Sequence, residues 1–382
     1  MIAVRVLVFV VGALLVIATV ASAVRTVILP RGVPARIARV VFVAMRALFR
    51  LRARPSSTYE RRDRIMALYA PLSLLALLLT WVVLAMAGFT LMFWALGART
   101  WASAFEVSGS SLLTLGFVNP GGIAGHALAF VEAGLGLVLL AMMITYLPSI
   151  YQGFSRREAL VTALEVRAGS PPSGVRLVEF FHVMEYLDRL TEFWAQWENW
   201  FADVEETHTS FGSLAFFRSP QPEHSWVTAA GAVLDGASLM TSVVDTDRQA
   251  QAEFTIRAGY LSLRRIATFF DIPFEPDPHF PDHPITIARA EFDEAWVRLE
   301  ASGVPMKPDR ERAWQDFAGW RVNYDTVLVA LATLTMAPYA PWSSDRGLRD
   351  WRPPVIVGWR RPRRANDAIG RMLDREPGAP SA

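Results

Sequence analysis

The sequence predicts an all-α membrane protein: three transmembrane helices with a re-entrant segment between the last two, then an α-helical cytoplasmic domain. Three observations carry this. Of the 382 residues, 52% are hydrophobic, too many for an ordinary soluble chain. Nearly all the long apolar runs lie before Tyr151. From Ser155 onward charges recur regularly, and apolar residues return with a helical period.

The first run covers 2–24 and is broken only by Arg5. The second covers 65–98 and the third 123–150. Each is long enough to cross about 30 Å of hydrocarbon at about 1.5 Å per residue. The expected organisation is a first transmembrane helix (1–29), a basic cytoplasmic linker (30–64), a second membrane module (65–150), a helical cytoplasmic domain (151–338) and a largely disordered Pro/Arg-rich tail (339–382).

Charge sets the orientation. The linker holds Arg31, Arg36, Arg39, Arg46, Arg50, Arg52, Arg54, Arg61, Arg62 and Arg64 against only Glu60 and Asp63. Arg156 and Arg157 follow the third run, and Arg99 is nearly alone after the second. The positive-inside rule places the linker and the C-terminal part in the cytoplasm and the N-terminus outside. A second reading stays open: Ala21-Ser22-Ala23 fits a signal-peptide cleavage site, which would invert this topology. Lys307 is the single lysine, and arginine-rich usage points to a GC-rich bacterial genome and its inner membrane. Within the linker, Ile37, Val40, Val41, Val43, Ala44, Ala47 and Leu48 interleave with arginines, as in an amphipathic helix lying on anionic lipid headgroups. A solvated basic loop is the other reading.

There is no cysteine, which excludes disulfides, thiolate catalysis and Cys-ligated metals. Net charge is only +2, and no nucleic-acid partner is expected. No P-loop is present, and no Gly-x-Gly-x-x-Gly follows a strand. No catalytic triad or paired-carboxylate cleft is visible, so neither enzyme activity nor a cofactor is expected.

The chemistry concentrates in 101–122, too short and too polar to span and flanked by two spans whose far ends are cytoplasmic. Such a segment is expected to enter as a half-helix and return as extended backbone, which is tolerated only against protein or water. The hydroxyl run Ser108-Gly109-Ser110-Ser111 is followed by Thr114-Leu115-Gly116-Phe117-Val118. The order of outer helix, short turn, pore helix, filter-like run and inner helix resembles the two-transmembrane potassium-channel pore family, over about the middle quarter of the chain. The resemblance implies a filter at Thr114, Leu115, Gly116, Phe117 and Val118, formed by backbone carbonyls. Thr114 would stand at the inner mouth and Phe117 would pack behind. Val118 occupies the place of the family's second Gly, and Asn119-Pro120 that of its acid. The resemblance further implies a homotetramer passing monovalent cations, potassium first. The alternative is a non-conducting membrane scaffold or sensor with a pore-like fold.

Ser110, Ser111 and Glu132 are the candidates for supporting the filter; Glu132 is the one acid in the third run. Gly134, Gly136 and Pro148 could form a gate hinge, or the glycines could serve close packing. In the C-terminal part, helices are expected over 175–203, 225–244, 247–270, 286–301 and 310–336. Glu179/His182 and Glu205/His208 have the i, i+3 spacing of di-iron bundles, but Glu253, Glu291 and Glu300 form no clear pattern to complete such a site, so no metal is assigned. Trp194, Trp197 and Phe201 share a face suited to core packing.

Overall fold

The computed structural model describes residues 2–29, 36–52 and 58–348. Residues 349–382, most of the expected tail, lie outside this set, including the basic run from Trp359 to Arg364. All regular elements among the described residues are helices. They form two compact units, one of Met1–Pro55 and Ile65–Gln152, the other of Ser56–Arg64 and Gly153–Ala382. Three stretches, Ile2–Val27, Tyr59–Leu96 and Gly122–Ala168, are long and apolar enough to cross a bilayer.

In the first unit α1 (Ile2–Val27) packs along α4 (Tyr69–Leu96). Gly12 and Gly88 meet at the crossing: a methyl on Gly12 would come within 2.5 Å of the Gly88 carbonyl oxygen, so only bare backbone permits this approach. Ser22 and Ala23, from the cleavage-like triplet, are buried, and Trp81 Nε1 donates to Ser22 Oγ at 3.2 Å. The linker forms α2 (Arg36–Arg52), where the rings of Phe42 and Phe49 meet Tyr69 edge-on. The second run does not start as one helix. A short α3 (Tyr59–Ala67) precedes α4, and the break at Leu68 has a cause in Pro71, which lacks an amide donor and crowds the carbonyl of Ala67.

A short α5 (Trp101–Leu112) follows α4. Thr100 caps it: its Oγ1 accepts from the Ser103 amide at 3.1 Å, and Ser103 Oγ accepts from the Thr100 amide at 3.1 Å. The Trp94 and Trp101 rings stack with centroids 4.5 Å apart across the turn. Then α6 (Gly122–Ala168) runs unbroken through Pro148, in the first unit to Gln152 and in the second from Gly153.

The second unit is built around α9 (Trp226–Ser242), buried at every position but Thr241. Its Ala/Gly-rich sequence is mostly apolar on every face, with Asp235 its one charge, as a central helix requires. Around it lie α7 (Gly174–Val183), α8 (Thr191–Ser210), α10 (Ala250–Phe269), α11 (Arg289–Ala301), α12 (Arg310–Arg321) and α13 (Asp325–Thr335). At Gly174 a methyl would come within 2.6 Å of the Gly236 amide nitrogen, which sets the close crossing of α7 on α9. Trp194, Trp197 and Phe201 are fully buried in this core.

Two expected helices are each broken in two. The 175–203 stretch stops at Val183 and restarts at Thr191, because Glu185 turns left-handed at φ 52° and a 3-10 turn follows at Leu187–Arg189. The 310–336 stretch breaks between Arg321 and Asp325. There Arg321 reaches Asp325 at 2.8 Å and also pairs with Asp235 of α9, while Thr286 donates to Asp325 from its amide and hydroxyl, both at 2.8 Å. Burial works against the charge of Arg321, yet the Asp235 and Asp325 carboxylates hold it above the ordinary guanidinium range.

Candidate functional site

The polar core of the first unit is one tie across three helices. Ser108 Oγ of α5 lies 2.5 Å from Glu132 Oε1 of α6 and 3.1 Å from the Met86 carbonyl oxygen of α4. Glu132 is fully buried. Its partner is thus Ser108, two and three residues before the serines that the sequence suggests as support. Helical spacing was the available signal: Ala104, Ser108 and Leu112 share the buried stripe of α5.

Ser110 and Ser111 act on the segment after α5 instead. Ser110 is buried, and its carbonyl accepts from the amides of Leu115 at 2.8 Å and Gly116 at 3.2 Å. Its Oγ accepts from the Val118 amide at 3.1 Å. The Ser111 carbonyl accepts from Thr114 at 3.0 Å. Four successive-region amides are thereby turned toward the C-terminal end of α5. In a trans peptide the carbonyl lies antiparallel to the N–H of the following residue. The carbonyls of Leu113, Thr114, Leu115 and Phe117 therefore point away from α5.

The turn is sharp. Thr114 stands at φ 55°, Gly116 at φ 71° and Gly122 at φ 72°. Glycine takes this region freely, whereas a β-branched residue does so at a cost of about 1–2 kcal/mol. Thr114, Leu115, Gly116 and Phe117 are exposed within the single chain. Phe117, expected to pack behind the others, is 67% exposed, and Val118 is the residue that packs. It leans on the cluster of Phe89, Met92, Phe93, Ala104, Val107 and Ala129. Beyond it, His126 closes the segment: its Nδ1 donates to the Gly122 carbonyl at 2.6 Å, and Nε2 lies 2.7 Å from Asn119 Oδ1.

The hinge candidates separate. A methyl on Gly136 would come within 2.2 Å of the Leu112 carbonyl oxygen, whereas one on Gly134 would meet nothing within 4 Å. Gly136 is thus where α6 approaches the end of α5, and Gly134 lies on the open side of α6.

In the second unit, Arg157 fixes the extension of α6. Its guanidinium is fully buried and donates to the Leu214 carbonyl at 2.9 Å, the Phe217 carbonyl at 2.8 Å and Glu158 Oε1 at 2.8 Å. It also lies 3.1 Å from His208 Nε2. Guanidinium only donates, so Nε2 accepts and the imidazole is neutral. Burial, and then the Arg157 charge, hold His208 well below the usual imidazole range. One residue along, Arg218 pairs with Asp63 at 3.1 Å and donates to the Thr335 and Met336 carbonyls. The 212–219 segment therefore carries ties to the residues just before the second span and just after the third.

The two Glu-x-x-His pairs are spoken for separately. Glu179 is held by Arg298 and Ser302, and Glu205 by Arg265 and Ser262, while His208 faces Arg157. Among the described residues no three His, Asp or Glu side chains converge as metal ligands. No family model, curated protein or solved structure matches this chain.

Proposed function

We propose that the chain is a pore-loop cation channel, homotetrameric in the membrane, with potassium as its first candidate ion. The observation that carries the reading is the backbone of 113–118. Its amides are tied to the end of a short capped helix and its carbonyls are turned away, with left-handed backbone at Thr114 and Gly116. Rings of such carbonyls replace the hydration shell of a cation. In this reading α5 enters the membrane as a half-helix and 113–121 returns to the outer face. One loop cannot enclose a path, so several copies are required, and the resemblance to the pore family implies four. The open side of α6, with Phe130, Leu137 and Ile144 exposed, supports further helices or lipid covering it.

The second unit is read as cytoplasmic and as the gating domain, supported by the ties of Arg157 and Arg218. The exposed stripe of Val40, Leu48 and Leu51 on α2, beside Arg36 and Arg52, supports an interfacial helix on anionic headgroups. A scaffold or sensor without conduction is the second reading, favoured by Val118 in place of a glycine.

The test is ion flux from liposomes holding the purified chain, comparing potassium, sodium and an impermeant cation, with Gly116→Asp beside it. Potassium flux lost in the variant is expected. Flux unchanged by Gly116→Asp sinks the filter assignment. A tetramer silent to all ions, with the second unit intact or removed, favours the scaffold.

A further inference from the structure

Two helices, α3 and α6, run from one compact unit into the other, and each has a residue of the second unit near the crossing held by the same short segment. That segment follows α8 as a 3-10 turn (Gly212–Phe216) and becomes extended at Phe217. Its middle is anchored on the core: Leu214 and Ala215 are buried, and the Trp226 indole donates to the Ala215 carbonyl at 3.1 Å. Its far end is clamped by Arg157 of α6, whose one guanidinium bridges the Leu214 and Phe217 carbonyls. The Phe217 carbonyl lies in the same peptide plane as the Arg218 amide. The clamp therefore sets the plane from which the Arg218 side chain departs. Arg218 in turn holds α3. Its guanidinium pairs with Asp63 at 3.1 Å, lies 3.4 Å from the Tyr59 hydroxyl, and donates to the Thr335 and Met336 carbonyls at the end of α13. The Tyr59 hydroxyl also lies 3.2 Å from the Pro222 carbonyl oxygen. Asp63 is 7% exposed, so this pair is sheltered, and loss of either partner leaves an uncompensated buried charge.

We propose that residues 212–219 form a coupling strap: Arg157 holds the Phe217–Arg218 peptide in place, and Arg218 grips Asp63 only from that place. The second unit then holds α3 and α6 together or releases them together. Arg157 and Asp63 do not touch; the strap is what connects them. Coupling between two sites is a free energy that both share, so loosening either end must loosen the other. The use of the strap in gating rests on the channel reading above, because α3 leads into the second span and α6 out of the third. The coupling itself does not rest on that reading and is measured without ion flux.

The test is amide hydrogen exchange, followed by mass spectrometry, on the full-length detergent-solubilised chain. Arg218→Gln removes the grip and should speed exchange over 59–64 by about tenfold or more, as a local opening does. Arg157→Gln, which alters no contact of α3, should speed the same amides by a comparable factor. In the other direction, Asp63→Asn should speed exchange over 153–160. Thr255→Val is the control for general loosening of the second unit: it loses a buried hydrogen bond to the Trp194 carbonyl and should leave 59–64 as in the native chain. Native exchange over 59–64 in Arg218→Gln or in Arg157→Gln overturns the proposal, and so does an equal rise in Thr255→Val. Should Arg157→Gln fail to fold, Asp63→Asn decides: faster exchange over 153–160 upholds the strap, and native exchange there makes the two ties independent and overturns it.

Discussion

Replacing Gly136 with alanine separates a packing glycine from a hinge glycine. The added methyl would lie 2.2 Å from the Leu112 carbonyl oxygen, where 3.4 Å begins ordinary contact. Both partners are helical backbone, so neither can swing aside; α6 and the end of α5 must part by about 1.2 Å. Overpacking of this kind costs roughly 1–3 kcal/mol. Gly134→Ala is the matched control. It meets nothing within the chain and removes a helix-interior glycine, which stabilises by about 0.5–1 kcal/mol. The two variants should therefore differ by roughly 1.5–4 kcal/mol, in opposite directions from the native chain. Thermal unfolding in detergent, followed by tryptophan emission, reads the difference; the Trp94–Trp101 stack lies in the same unit. Because Leu112 leads directly into the 113–118 loop, the proposed channel reading adds that Gly136→Ala lowers ion selectivity. A Gly136→Ala chain as stable as native refutes the close contact. Equal loss in both variants would mean that α6 needs glycine for bending at 134 as well.

Ser108→Ala removes the hydroxyl beside buried Glu132 and should destabilise by about 1–3 kcal/mol, read as a lowered unfolding temperature, with Ser108→Thr partly restoring it. Thr114→Gly should relieve about 1–2 kcal/mol of left-handed strain and raise stability; on the proposed channel reading it also lowers the potassium-to-sodium flux ratio. His208 gives a pH dependence whose sign is fixed. Its folded pKa lies below the unfolded value, so below about pH 6.5 the unfolded chain binds the extra proton. Stability then falls by about 1.4 kcal/mol per pH unit of acidification, until the folded pKa is reached. His208→Gln keeps an acceptor for Arg157 and should flatten that slope in denaturant unfolding between pH 7.5 and 5.5; an unchanged slope refutes the assignment.

The spans were legible because length and apolarity alone decide them. The loop after α5 was legible as a place, since its hydroxyls and glycines fit neither a span nor a soluble helix. What escaped was long-range. Nothing in the sequence sets Arg157, Arg264 and Arg321 apart from the other arginines, yet all three are buried, each on carbonyls or carboxylates remote in the chain. The break after Val183 has no Gly or Pro to announce it; Glu185 takes the left-handed turn instead. Glu132 stood out as a lone acid, but its choice of Ser108 over Ser110 depends on how α6 is rotated against α5.

Val118 is where sequence and geometry pull apart, and backbone conformation decides between them. Among the described residues of the loop, the left-handed positions are Thr114 and Gly116, and Val118 is not one. A β-branched residue is therefore under no strain at 118, and its side chain is used: it packs against the buried cluster of the first unit while its amide is held by Ser110. Val118→Gly would remove that packing and add backbone freedom, a combined loss of about 1–3 kcal/mol. The expected result is a less stable chain and, on the proposed channel reading, lower ion selectivity. A Val118→Gly chain that keeps its stability and gains potassium selectivity would mean instead that valine blocks a site the loop is otherwise built to form.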